Sequence, residues 1–137
     1  MKKIDEKMKE MLVKKAIEVR ENSYSPFSGF CVGAALLCSD GEIIVGTNVE
    51  NSSFGGTICA ERSAFCAAVS RGKREFDAIA IVGGKRGDPI SENCAPCGIC
   101  RQFMNEFCNA DFTVLLSDGE KITEKTLGEL LPDSFKL

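Results

Sequence analysis

Histidine is absent from this 137-residue sequence, tryptophan is absent, and tyrosine occurs once. Without histidine, a mixed histidine–cysteine metal site is impossible, and sulfur must take the nitrogen's place. Positive charge is also in short supply. Lys and Arg total 17 against 20 Asp and Glu, a net charge of −3, so nothing electrostatic calls for a polyphosphate partner. With so few large stacking aromatics, a polynucleotide substrate is disfavoured as well. No apolar run approaches the roughly 20 residues that span a bilayer. The opening "MKKIDEKMKE" has two lysines, but Asp5, Glu6 and Glu10 interrupt any apolar stretch after them. A cytoplasmic protein with no membrane partner is expected.

Cysteine, by contrast, is abundant: Cys31, Cys38, Cys59, Cys66, Cys94, Cys97, Cys100 and Cys108. Four disulfides would suit a small secreted chain. A chain of this length with 44% hydrophobic residues can instead build one core without staples, so one domain over 1–137 is expected. In a reducing compartment, closely spaced cysteines are more often metal ligands, and isolated ones are small buried hydrophobes. Cys31, Cys38, Cys66 and Cys108 are assigned to packing on that basis.

Periodicity then orders the chain. Residues 4–20 have helical spacing, with Ile4, Met8, Met11, Leu12, Ala16 and Val19 opposite a charged face. "NSYSPFSGF" is a loop. "CVGAALLC" and "EIIVGTNV" read as a hairpin around "SDG". Residues 58–71 are helical through Ala60, Ala64, Ala67 and Ala68. "FDAIAIVGG" is a nearly all-apolar strand, expected at the sheet's centre. Residues 98–108 form a helix with Ile99, Phe103 and Phe107 on one face. "DFTVLLSDGE" adds a strand and turn, and "TLGELLPDSF" a short helix ended by Pro132. The tail of this order is β-α-β-α-β, which predicts parallel strands with right-handed crossovers. Together with the hairpin it gives a mixed sheet in a three-layer α/β domain.

"CAPCGIC" now has a context. Cys97 and Cys100 fall in the first turn of one predicted helix, and Cys59 in the first turn of another. Each helix follows a loop leaving a strand, and such loops meet in one crevice. Two helix N-termini, each with about +0.5 of partial charge, would favour thiolate there. Three thiolates make a Cys₃ zinc site with a fourth position open to water. Cys94 competes, as a partner of Cys97 or as a fourth ligand closing the site. Pro96 before Cys97 favours the later pair, because proline fits a first helical turn and Cys94 precedes it. Glu61 stands two residues after Cys59. In mid-helix the two would lie about 200° apart, but in a first turn aimed end-on both can reach one ligand. Its carboxylate is then free to move protons.

The chain resembles the zinc-dependent cytidine deaminases, specifically their short homotetrameric type. The resemblance rests on "CAER" (59–62) and "PCGICRQ" (96–102). It extends through "YSPFSGFCVGAALL", "GTNVENSSFG" and "LLPDSF" in the expected order. It implies a three-layer α/β/α domain with a five-stranded mixed sheet. It also implies one Zn²⁺ per subunit on Cys59, Cys97 and Cys100, with Glu61 as proton shuttle. Asn48 and Glu50 match a pair that holds the ribose hydroxyl. Phe30 matches an aromatic on the pyrimidine, and the Ala60 backbone a contact to the base carbonyl. Phe54 and Phe135 match aromatics that reach a neighbouring subunit's site in a homotetramer. The implied reaction is hydrolytic deamination of cytidine and deoxycytidine to uridine and deoxyuridine, a step of pyrimidine salvage. Cys31 departs from the family, where proline is common.

Three thiolates overcompensate a dication, which raises the pKa of a bound water unless a cation offsets them. Arg62 is the natural candidate, with its guanidinium expected on one or two of the sulfurs. A deaminase of a related aminopyrimidine nucleoside such as blasticidin S would share most of these features. A structural Cys₄ zinc module using Cys94, or a thiol redox protein using Cys97 and Cys100, would not need Glu61.

Overall fold

The computed structural model describes residues 4–137; Lys2 and Lys3 of the opening segment lie outside the described residues. Helix α1 (Glu6–Val19) starts on Asp5, whose side chain accepts from Met8 N. Strands β1 (Phe30–Cys38) and β2 (Ile43–Thr47) form the expected antiparallel hairpin. Helix α2 (Ala60–Ser70), strand β3 (Phe76–Lys85), helix α3 (Gly98–Phe107) and strand β4 (Thr113–Ser117) follow. Strand β5 (Ile122–Thr126) and the one-turn helix α4 (Leu127–Leu130) complete the described chain.

The five strands are ordered β2-β1-β3-β4-β5, so β3 is central as its all-apolar sequence predicts. The β-α-β-α-β expectation holds for β3 and β4, which pair in parallel. It needs correction at β2 and β3, which are not neighbours. β1 lies between them, antiparallel to both. β5 is absent from the strand-by-strand reading of the sequence. "ITEKT" lacks an apolar face because it closes the sheet's edge, where charged side chains also discourage pairing with another chain.

Alternation along β1 and β3 makes two cores. Ala35, Leu37, Ala78, Ala80 and Val82 face α1, meeting Leu12, Val13 and Ala16. Ala34, Leu36, Ile79 and Ile81 face α2 and α3. Three layers result. Phe65 is fully buried at the hub of the second core, with its ring 5.0 Å from Phe76 and 6.0 Å from Phe107. On α3 the buried side chains are Cys100, Met104 and Asn105, so the predicted Ile99–Phe103–Phe107 stripe is only partly a core face. Ile99 is exposed, and with Phe103 and Phe107 it lines an outward-facing cleft of about 570 Å³. Cys31, Cys38 and Cys108 are buried as assigned. Cys66 is exposed, which corrects its assignment to packing, because the buried face of α2 runs through Ala60, Ala64, Phe65 and Ala68.

Candidate active site

β2, β3 and β4 end at the same edge of the sheet, where β1 begins. Two helices start there. Cys59 is the residue before α2 and Cys97 the residue before α3, both with extended backbone. Neither thiol is used to cap its helix, so both sulfurs are free to face outward. The mid-helix objection to Cys59 and Glu61 acting together therefore lapses: Cys59 lies outside the helix, and helical phase begins at Ala60.

The sulfurs of Cys59, Cys97 and Cys100 lie within 4.8 Å of one another, and those of Cys59 and Cys97 are 3.7 Å apart. Tetrahedral zinc with Zn–S near 2.3 Å sets thiolates about 3.8 Å apart, so the trio fits that ion. Cys94 is not a member of this group among the described residues. Its sulfur sits over Gly83 instead, beside the ring of Phe30. A Cβ at Gly83 would come within 2.8 Å of both. Burial pushes the Cys94 thiol up to about 11. A closed four-sulfur site is not formed.

Electrostatics favour anionic sulfur at the trio. A hydrogen bond shared with Cys100 and another from Arg62 bring Cys59 down to about 5, against the opposing effect of burial. Cys100 moves up, because it bonds to Cys59 and is buried. Anionic character is thus favoured at Cys59, beside which a cation could be held. Arg62 Nη2 donates to Cys59 Sγ at 3.6 Å and to the Thr57 carbonyl at 3.4 Å. Its Nε is buried without a hydrogen-bond partner among the described residues. The N–H groups of the first turn, at Ala60, Glu61 and Arg62, have no carbonyl four residues back inside the helix and add positive potential at the same place.

Glu61 is 4% exposed. Burial pushes its carboxyl up to about 7; the Cys59 charge adds to the rise, while bonding to Cys100 and the nearby Arg62 oppose it. A carboxyl poised near neutrality can accept and return a proton, as acid–base catalysis requires.

The loops beside this centre hold the remaining candidates. Asn48 is nearly buried. Its Oδ1 accepts from Val32 N and from Ser23 Oγ, and its Nδ2 donates to the Phe30 carbonyl at 2.9 Å. Glu50 Oε1 accepts from Phe27 N and Ser28 N, and Oε2 from Ser28 Oγ. These bonds hold its carboxyl below the usual range. Both side chains are therefore fixed before any ligand arrives. Their partners Ser23 and Ser28 were not singled out in the sequence, where serines in "NSYSPFSG" only signal a loop. Phe30 is 39% exposed at the mouth of β1, and Ala60 is buried at the start of α2. Phe54 is 75% exposed and packs edge-on against Phe27 at 5.7 Å. Phe135 is 66% exposed, and its carbonyl accepts from Asn105 Nδ2 on α3.

The model of the cytidine and deoxycytidylate deaminase zinc-binding region matches residues 6–116. The chain belongs to that family. A cytidine deaminase of Halalkalibacterium halodurans is 50% identical over 129 residues, covering 93% of both chains. The crystal structure of a cytidine deaminase from Burkholderia pseudomallei superposes with a TM-score of 0.83. It is 43% identical and covers 92% of this chain and 98% of its own. A blasticidin-S deaminase of Bacillus cereus is 35% identical over 104 residues, 74% of each chain. The matched region contains both helices that start beside the sulfurs, and the trio could hold the zinc of such a region.

Proposed function

We propose that this protein is a cytidine deaminase that converts cytidine and deoxycytidine, with water, to uridine and deoxyuridine plus ammonia. One observation carries the proposal: a buried, near-neutral carboxyl at Glu61 stands beside three converging sulfurs at two helix ends. A structural zinc site would leave such a costly buried acid without purpose.

Cys59, Cys97 and Cys100 would hold the zinc, whose Lewis acidity would make a water beside Glu61 more acidic. Glu61 takes a proton from that water and passes it to N3 of the pyrimidine. The water oxygen bonds to C4. Glu61 then takes the remaining hydroxyl proton and gives it to the amino group, the C4–N bond breaks, and ammonia leaves. Burial of Glu61 keeps it matched to both transfers. Arg62 offsets the surplus negative charge of the sulfurs.

Binding is assigned to the fixed groups around this centre. Asn48 has one N–H left for a ribose hydroxyl, and Glu50 has a free acceptor position on Oε2. Phe30 lies against one side of the base, and the Ala60 N–H faces its carbonyl. Phe54 and Phe135 complete sites in neighbouring copies of a homotetramer, which accounts for two large aromatic rings left in water on one protomer. Residues 1–137 form one domain. No helix among the described residues is long and apolar enough to cross a membrane, and a cytoplasmic location is proposed.

The test is loss of absorbance at the cytidine band, run beside Glu61→Gln at equal zinc content. Turnover by the natural chain and a fall of at least about 10³-fold in the variant is expected, the upper part of the acid–base range. Equal rates would sink the role of Glu61. Parallel rates on blasticidin S separate the substrate suggested by the Bacillus cereus relative: faster turnover there would overturn cytidine as the substrate.

A further inference from the structure

The chain after α4 turns back on itself. Pro132 ends the helix, and Asp133 has φ of 54°, a left-handed conformation that non-glycine residues seldom adopt. This reversal brings the Phe135 carbonyl to α3. Apolar packing does not fix it there. A cleft of about 220 Å³ lies under the turn, lined by Asn105, Leu131, Pro132, Asp133 and Ser134 among others. Polar contacts hold the segment instead. The Phe135 carbonyl accepts from Asn105 Nδ2 at 3.0 Å and from Gln102 Nε2 at 3.2 Å. Asn105 is 8% exposed, a buried amide whose side chain donates to this carbonyl. The ring of the same Phe135 is left 66% exposed. Holding a backbone with a buried donor while the attached ring stays in water is unproductive for a lone protomer. It is productive if the ring is presented to another surface.

We propose that Asn105 and Gln102 form a two-donor clamp on the Phe135 carbonyl. The clamp sets the ring at the angle at which it enters the substrate site of a neighbouring copy. This rests on the shared-site reading above and assigns two positioning residues to it. The clamp sits on the helix that begins at Cys97. Arg101, next to Gln102, donates from Nε to the Pro96 carbonyl at 2.8 Å and from Nη1 to the Leu130 carbonyl at 2.7 Å. One turn of α3 therefore grips both the loop entering the metal site and the segment leaving α4. The placement of the metal loop in one copy is thereby tied mechanically to the ring it lends to the next.

The experiment uses zinc-loaded, full-length protein. Asn105→Asp keeps the shape of the side chain but removes its donor and sets an oxygen against the carbonyl. Gln102→Ala, at a half-buried position, guards against a fold defect at Asn105. In both, KM for cytidine is expected to rise about three- to tenfold, the scale of one lost hydrogen bond. The values of kcat, zinc per chain and assembly mass stay at those of the natural protein. In a Phe135→Ala background the same substitutions add nothing further to KM, because the clamp acts only through the ring. If Phe135→Ala raises KM while neither clamp variant does, the clamp is wrong and the shared site survives. A rise that persists undiminished in the Phe135→Ala background also overturns the clamp. If Phe135→Ala leaves KM unchanged, the shared-site reading fails and the clamp with it.

Discussion

Glu61 and Arg62 are adjacent in sequence, yet their surroundings differ. Glu61 is turned into the protein, and burial raises its carboxyl to about 7. Arg62 reaches back over the helix end and places a fixed positive charge on the Cys59 sulfur. Removing that charge leaves three thiolates with less compensation. Arg62→Ala is therefore expected to weaken zinc binding by about 10- to 100-fold, the scale for losing a residue that orients a metal ligand. Competition against a chelator measures it, and an unchanged far-ultraviolet spectrum shows that the fold is intact. Normal affinity together with normal turnover would remove Arg62 from the mechanism. The sulfurs and Glu61 were legible in the sequence because two short spacings and a proline fix them relative to helix starts. Cys94 was the ambiguous member there; its sulfur packs at Gly83 and Phe30, outside the group formed by Cys59, Cys97 and Cys100. That contact joins residues 30, 83 and 94, which no local pattern connects. Ser23 and Ser28 were invisible for the same reason.

Among the elements, α2 does the positioning, and β2 positions α2. Gly46 lies directly beneath the first turns of that helix. A Cβ there would come 2.5 Å from Ala64 N and 2.7 Å from the Ala60 carbonyl oxygen, both backbone atoms that cannot rotate away. Gly46→Ala must lift the end of α2 that begins at Cys59. Overpacking of this kind costs about 1–3 kcal/mol, readable as a lower urea midpoint. Zinc affinity should fall in the same variant, since Cys59 moves relative to Cys97 and Cys100. A variant with lower stability but unchanged zinc affinity would mean that β2 supports the helix without aiming it. The sequence made the helices and four strands legible through period and punctuation. It could not reveal that β1 inserts between β2 and β3, because strand order depends on which faces the helices cover. The edge strand β5 escaped because edges are kept polar. Phe65, between Ala64 and Cys66 in "SAFCAA", became the hub of a core only once β3, α3 and the start of β4 closed around it.

Across the whole molecule, chemistry and electrostatic support occupy opposite ends of the sheet. The metal end gathers the starts of α2 and α3. At the other end, where β1 finishes and β3 begins, Lys73 pairs with Asp40 and with Glu42 at 2.9 Å, and Arg71 pairs with Glu42 at 3.0 Å. This cluster ties the β1–β2 turn to the connection between α2 and β3. The hydrogen bond and charge of Lys73 hold the Asp40 and Glu42 carboxyls below their ordinary values of 3.8 and 4.5. Carboxyls whose folded pKa is depressed contribute stability that is fully present above the unfolded values. That contribution is lost as pH falls through the lowered folded ones. The affected window lies below about pH 4.5. Both carboxylates are exposed, so salt screens the pairs and their contribution is small. Lys73→Met should nevertheless have a lower urea midpoint at neutral pH and lose less of it between about pH 6 and pH 3, because the carboxyls return toward ordinary values without their partner. Turnover and zinc content at neutral pH should not change, since the cluster is a sheet length away from the sulfurs. Equal acid sensitivity in the two proteins would mean that the pairs seen here do not stabilise the fold. A loss of zinc in the variant would mean that the two ends of the sheet are coupled, and that stability and chemistry share one cooperative unit.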